Sequence, residues 1–158
     1  MGIAFSTAGM KVLYAMETAA GTRPTTGYKE IPDIKSTPDY NTEPNGIDVT
    51  TLSETVALQY VEGLRDYGSS LSFTANLTNE LTTAWDTFCK AAETGEKTGL
   101  KPWIQIIHPK LTKAWFAPGS PVKMSMPTAE TNAALETTVY IVPAGGGLWE
   151  TPSPEAEG

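Results

Sequence analysis

The clearest alternation of apolar and polar positions lies in residues 69–77, SSLSFTANL. Leu71, Phe73, Ala75 and Leu77 fall on one face, and serine, threonine and asparagine residues alternate with them. Successive side chains of a β-strand point to opposite faces. The segment is therefore predicted to be a strand with one buried face.

Directly after this strand the spacing changes to that of a helix. The apolar positions of this stretch are Leu81, Ala84, Trp85, Phe88 and Ala92. Thr78 or Asn79 can cap the first turn with its side-chain oxygen, and Gly95 is suited to end the last turn. The pattern predicts one α-helix from Glu80 to Thr94.

Most of the remaining chain is typical of short strands separated by glycine and proline. Strands are predicted at residues 11–17, 28–31, 100–108, 113–117, 122–126 and 135–142. The first of these has apolar residues on both faces. Residues 149–158 contain two prolines and three glutamates, and they are predicted to be a flexible acidic tail that follows one domain of residues 1–148.

A long inter-strand loop occupies residues 42–68. It holds two apolar runs, IDVTTL at 47–52 and VALQYV at 56–61, the second apolar enough to dock on another surface. Loops of this length are usually functional or disordered. Since one helix cannot cover both faces of a parallel sheet, the predicted fold class is mainly β, a β-sandwich or barrel with one flanking helix.

The composition of the chain excludes several classes of function. The chain has 158 residues, 40% of them hydrophobic, which suits one globular domain and excludes a fully disordered chain. Its net charge of −7 disfavours tight binding to nucleic acid. The start lacks the basic and long apolar segments of a signal peptide, and no run is long and apolar enough to span a membrane, so neither export nor membrane insertion is expected.

Candidate chemistry is sparse. Cys89 and His108 are the one possible nucleophile and base. A cysteine beside an apolar helix stripe is more often structural, however, and a histidine in a turn is more often only a solvated turn residue. No zinc-binding spacing occurs. An oxygen-rich stretch from Asp39 to Asp48 imitates a calcium loop, but Pro44 stands where that loop needs glycine and Thr50 where it needs glutamate. We therefore expect no catalytic residue, no metal and no cofactor.

Several short motifs, in a shared order, resemble the tail tube (major tail) proteins of long-tailed bacteriophages. The motifs are IPDI at 31–34, EPNGIDVTTL at 43–52, YVEGLRD at 60–66, the alternating strand and helix that follow, and the closing strands that include AWF at 114–116. The match covers most of the chain, from Lys11 to Gly145. The stretch before Pro127 lacks the glycine and acidic residues of the family pattern.

The resemblance implies a β-sandwich subunit that forms hexameric rings, which stack into the tube that carries DNA from the capsid to the cell. It implies as partners copies of the same chain, a tape measure protein and a tail terminator protein, with DNA passing through unbound and no contact with membrane. It places the chain in the virion tail, assembled in the host bacterial cytoplasm.

The resemblance further implies that the long loop contacts the neighbouring ring. The expected apolar anchors are Ile47, Val49, Leu52, Tyr60 and Leu64, and the polar residues that set the register are Asp48, Arg65 and Asp66. The alternative for these residues is a loop packed on its own domain.

Two other functions stay open on the sequence. In a carbohydrate-binding β-sandwich module, Trp103, Trp115 and Trp149 would stack on sugar faces, although Trp103 and Trp115 also suit a core. In a small hydrolase, Cys89 would act with His108.

Overall fold

The computed structural model describes residues 2–42, 46–63 and 68–156. In chain order its elements are β1 (Lys11–Met16), β2 (Lys29–Glu30), β3 (Ile34–Ser36), β4 (Gly46–Asp48), β5 (Tyr60–Glu62), β6 (Leu71–Asn76), α1 (Asn79–Glu96), β7 (Pro102–Ile107), β8 (Ala114–Pro121), β9 (Glu136–Pro143) and β10 (Leu148–Glu150). No helix in these ranges is long and apolar enough to cross a membrane.

The main sheet of the described chain has eight strands in the order β2-β1-β7-β8-β9-β6-β3, with β10 paired to β8 beside this path. Strand β8 joins two parts of the sheet. Its first residues pair with β7 on one side and β10 on the other, whereas Gly119, Ser120 and Pro121 pair with β9. The sheet curls into a half-barrel, so the predicted mainly β fold with a single flanking helix is confirmed.

The helix α1 covers one face of this sheet. Thr78 is its N-cap, and the Thr78 hydroxyl accepts a hydrogen bond from the Leu81 N–H at 3.1 Å. The Phe88 ring stacks on Tyr14 of β1 with centroids 4.3 Å apart. The buried cluster under the helix consists of Val12, Tyr14, Ile31, Phe73, Ala75, Leu81, Trp85, Phe88, Ile104, Val139 and Ile141. The alternation in β6 and the helical spacing therefore bury the faces that the sequence predicted.

The opposite face of the sheet carries a second buried cluster, made of Leu13, Ala15, Tyr28, Trp103, Ala114 and Phe116. Strand β1 supplies residues to both clusters, in agreement with its apolar residues on both faces. The Arg23 guanidinium lies over the Phe116 ring, 4.3 Å from its centroid, and helps to cover this cluster.

The end of the described chain differs from the predicted mobile tail. In β10, Trp149 pairs with Trp115 and Glu150 pairs with Ala114 of β8. Farther on, the Ala156 N–H donates to the Tyr28 carbonyl oxygen at 2.6 Å. Residues 149–156 are thus tied to the domain, because they pair with a sheet edge and cover the second cluster.

The strand predicted at residues 122–126 is absent from the described structure. Strand β8 continues instead through Pro118 to Pro121, and beyond it the Val122 N–H donates to the Tyr140 carbonyl oxygen at 2.9 Å. The pairing of β8 with β9 ends at this hydrogen bond, so the apolar residues that alternate beyond Val122 have no strand partner in the described chain.

Candidate assembly interface

The long loop contains a β-hairpin. Strands β4 and β5 pair antiparallel with each other and, in the described part of the chain, with no other strand. We call β4, β5 and the segment 49–59 that joins them the arm. An arm packed on its own domain would bury its apolar side chains, so their exposure bears on the two expectations for the loop.

One face of the arm is apolar and uncovered. Ile47 and Val61 are cross-strand partners and so lie on the same face, with 53% and 48% of their surfaces exposed. Val49, two positions beyond Ile47, shares that face and is also exposed. These side chains are about half exposed, and neither β4 nor β5 pairs with a strand of the main sheet in the described chain.

The other face of the arm is mixed. Asp48 and Tyr60 are cross-strand partners on this face. The Tyr60 ring lies over Gly46, where a β-carbon would be 3.3 Å from the Tyr60 Cδ1 atom. Hydrogen bonding from the Thr50 backbone N–H, at 2.9 Å from Oδ1, lowers the pKa of Asp48, which keeps this exposed carboxyl charged at neutral pH.

The tip of the arm is organised by its own polar groups. Glu54 accepts hydrogen bonds from the Val56 N–H at 2.8 Å and from the Gln59 side chain at 3.0 Å. The Gln59 N–H donates to the Thr50 hydroxyl at 2.6 Å. The backbone bonds from Val56 and Ala57 lower the pKa of Glu54. The tip thus has a defined shape while its apolar side chains, Leu52, Val56 and Leu58, point into solvent.

Of the eight predicted interface residues, the structure places Ile47, Asp48, Val49, Leu52 and Tyr60 on the arm. The other three, Leu64, Arg65 and Asp66, lie outside the described residues. Val56, Leu58 and Val61 were not among the predicted anchors, although they are as exposed as the residues that were. The apolar run at 56–61 was the sequence signal for these three residues. The pairing of Val61 with Ile47 places Val61 on the same face as a predicted anchor.

The residues proposed as a nucleophile and a base have structural surroundings. Burial, followed by the nearby Asp86 and Glu93 charges, raises the pKa of the Cys89 thiol, which is the opposite of an activated nucleophile. Both ring nitrogens of His108 are occupied, one by the Ser6 carbonyl oxygen at 2.6 Å and one by the Lys110 N–H at 3.1 Å.

His108 is buried, not the solvated turn residue that the sequence suggested. The Phe5 ring stacks on it with centroids 5.4 Å apart. The histidine thereby ties the first residues of the described chain to the end of β7. In the described ranges, no three histidine, cysteine, aspartate or glutamate side chains are grouped closely enough to hold a metal ion.

Comparison with known proteins finds similar folds but no similar sequence family. No protein-family model matches the chain, and no curated protein matches its sequence. Solved structures do match. One is a chain of the anti-feeding prophage (AFP) baseplate determined with six-fold symmetry, with a TM-score of 0.58 and 13% identity over 96% of this chain and 98% of that one.

A second match is a chain from the tail of an empty GTA particle with C6 symmetry. Its TM-score is 0.58, and the identity is 14% over 94% of this chain and 100% of that one. The chain shares its fold with subunits of phage-tail-related particles. The likeness extends over nearly the whole of each chain.

Proposed function

We propose that this chain is a structural subunit of a phage-like tail. Copies of it form hexameric rings, and the rings stack into a tail tube that serves as a conduit for DNA. The observation that carries the proposal is the uncovered apolar face of the arm, on a fold shared with chains of two six-fold symmetric particles.

The arm supplies the driving force for stacking. Full burial of one aliphatic side chain of this size stabilises a contact by about 1.5–3 kcal/mol. The arm exposes Ile47, Val49 and Val61 on one face and Leu52, Val56 and Leu58 at the tip. Burial of this set against the adjacent ring offsets the entropy that is lost when subunits associate. The polar neighbours Asp48 and Tyr60 then fix the register of the contact.

The charge of the chain suits a conduit. A net charge of −7 per subunit adds up around a ring and repels phosphate groups. DNA then passes without being held. The role needs no catalysis, which agrees with the raised pKa of the Cys89 thiol and with the engaged ring of His108.

The same role sets the partners and the place of action. A tube of defined length needs a tape measure protein inside it and a tail terminator at its end, so these are the proposed partners besides the chain itself. The proposed location is the virion tail, after assembly in the host bacterial cytoplasm. The arm is the surface through which copies of the chain meet.

Negative-stain microscopy and sedimentation of the purified chain test the proposal. We expect rings and tubes that lengthen as the protein concentration rises. Replacing both Ile47 and Val61 with aspartate places charges in the apolar face of the arm, so tubes are expected to be lost. The matched control is Leu111→Asp, which changes an exposed leucine in the turn between β7 and β8.

Two results would contradict the proposal. One is a chain that stays monomeric at every concentration tested, with no rings in the micrographs. The other is a double arm variant that forms tubes as readily as the Leu111→Asp control, because the arm would then not be the contact. Circular dichroism of each variant establishes that its fold is retained.

A further inference from the structure

A cleft of about 610 Å³ lies beside β8 and β10. Trp115 and Trp149 are cross-strand partners in these two strands, and their rings meet edge to face with centroids 5.3 Å apart. Tyr40 forms the facing wall, 5.5 Å from the Trp115 ring. Three aromatic side chains from three parts of the chain thus surround one space.

Gly147 leaves the room that the Trp115 indole occupies. A β-carbon at Gly147 would be 2.7 Å from the Trp115 Cε2 atom and 2.8 Å from the Phe116 carbonyl oxygen. Only glycine lets the chain pass this close to the indole. Trp149, in contrast, lies on the sheet edge with 54% of its surface exposed, so part of the aromatic lining is open to solvent.

The rim of the cleft is polar. The Asp39 Oδ1 atom accepts hydrogen bonds from the Asn41 N–H at 2.8 Å and from the Asn41 side-chain amide at 3.0 Å. These bonds orient the Asp39 carboxylate beside the aromatic rings and leave its second oxygen as an acceptor. Burial strongly raises the pKa of the Tyr40 hydroxyl, which therefore stays protonated and able to donate.

These features restrict the chemistry of a ligand. The described lining contains one carboxylate, Asp39, and no lysine or arginine, which disfavours phosphates and other anions. A wholly apolar ligand would remove water from Asp39 without replacing its hydrogen bonds. A neutral molecule that has both flat C–H faces and hydroxyl groups can pack its faces on the aromatic rings and donate hydrogen bonds to the Asp39 carboxylate. Sugars with equatorial hydroxyl groups have this structure.

We propose that the cleft between Tyr40, Trp115 and Trp149 binds a neutral oligosaccharide of β-linked pyranose units. One sugar ring packs on the exposed indole of Trp149, and its hydroxyl groups donate to the Asp39 carboxylate. Trp103 has no part in this site, because it is buried in the second cluster on the opposite face of the sheet. No described lining residue of the cleft belongs to the arm, so the proposal does not rest on the assembly of the chain into tubes.

Titration of the full chain with cellotetraose and with triacetylchitotriose tests the site, by tryptophan emission and by amide chemical shifts. Trp85 and Trp103 are buried, so the emission change reports on Trp115 and Trp149. We expect saturable binding of at least one of the two sugars, with shift changes confined to residues around the cleft. Inorganic phosphate, the anionic comparison, is expected not to bind.

The Trp149→Ala variant is expected to weaken the binding about tenfold, the effect of losing one aromatic contact. Its matched control is Tyr140→Ala, which removes an exposed aromatic side chain of β9, 45% exposed and outside the cleft. The control is expected to bind as the unchanged protein does.

Three results would overturn the proposal: saturable binding of neither sugar, equal weakening by both variants, or shift changes outside the cleft. If the tryptophan emission changes only when copies of the chain associate, and no sugar binds, then the cleft is a contact between subunits. That result would also reject the sugar site.

Discussion

Gln105 and Ser153 form two reciprocal hydrogen bonds on the buried face of the sheet that lies opposite the helix. The Ser153 N–H donates to Gln105 Oε1 at 2.8 Å, and the Gln105 side-chain amide donates to the Ser153 carbonyl oxygen at 3.1 Å. The side chain of Gln105 thus acts as a neighbouring strand would. It holds the last described residues over the second cluster, and it is itself fully buried.

Replacing Gln105 with leucine is expected to destabilise the protein by about 1–3 kcal/mol, because the N–H and carbonyl groups of Ser153 would stay buried without partners. Urea unfolding measures the loss, and hydrogen exchange is expected to rise in residues 151–156. Ser153→Ala is the matched control, since both bonds use the backbone of Ser153. Equal stability of the two variants would show that the pair does not hold this segment.

Glu17 predicts a dependence of stability on pH. The buried carboxylate accepts from the Trp103 indole at 2.9 Å, the Lys101 N–H at 2.9 Å and the Gly21 N–H at 3.3 Å. Burial alone raises the pKa of Glu17, but these bonds and the Lys101 charge outweigh it and leave the pKa below its ordinary value of 4.5. A carboxyl with a lowered pKa stabilises the fold above its unfolded pKa and loses that effect as the pH falls through the folded pKa.

The unfolding free energy is therefore expected to fall as the pH drops below 4.5. At neutral pH, Glu17→Gln is expected to cost about 1–3 kcal/mol, since an amide cannot accept from all three donors. The difference between the variant and the unchanged protein should shrink towards low pH. Urea unfolding at a series of pH values gives both curves, and parallel curves would exclude Glu17 as the titrating group.

The start of the helix offers a test of capping. The Thr78 hydroxyl accepts from the Leu81 N–H and donates to the Asp33 carboxylate at 2.5 Å, so one side chain joins α1 to the turn before β3. Thr78→Ala is expected to lower stability by about 1 kcal/mol. Thr78→Ser keeps the hydroxyl and should retain most of the stability. Thermal unfolding compares them, and a serine variant as unstable as the alanine variant would reject the capping role.

Substitutions of two leucines, one in the core and one in the arm, are expected to differ in their effect on stability. Leu81 is completely buried under the helix, whereas Leu52 at the arm tip is fully exposed. Leu81→Ala is expected to cost about 2–5 kcal/mol, and Leu52→Ala is expected to stay within about 0.5 kcal/mol of the unchanged protein. Denaturant unfolding at concentrations too low for assembly measures both. A large loss from Leu52→Ala would mean that the tip already packs on the domain.

The sequence predicted best where one local pattern decides the structure. The alternation around Phe73 and the helical spacing around Trp85 each identify a buried face, and the structure has both. The strand predicted at residues 122–126 is wrong, because alternation along a segment does not show whether a neighbouring strand pairs with it, and the pairing with β9 ends at Val122. The docking of residues 151–156 could not be predicted, because it depends on hydrogen bonds to the side chain of Gln105. Nothing in the sequence around Gln105 indicates that it has a partner so far along the chain.

The candidate interface was also predicted only in part. The apolar runs that contain Ile47 and Val61 were visible in the sequence, but the shared face they form depends on the register between β4 and β5. The cleft was harder to foresee. Trp115 and Trp149 meet only because β10 pairs with β8, and Tyr40 reaches them from a loop far away in the chain.

The closure of the second cluster by the last described residues has a consequence for biosynthesis. Leu13 and Tyr28 leave the ribosome early, but the segment that covers them is made after β10. A nascent chain therefore exposes these apolar side chains until residues 151–156 have been made. This face of the sheet is therefore expected to close later in synthesis than the face under the helix, whose cluster is complete once β9 has been made.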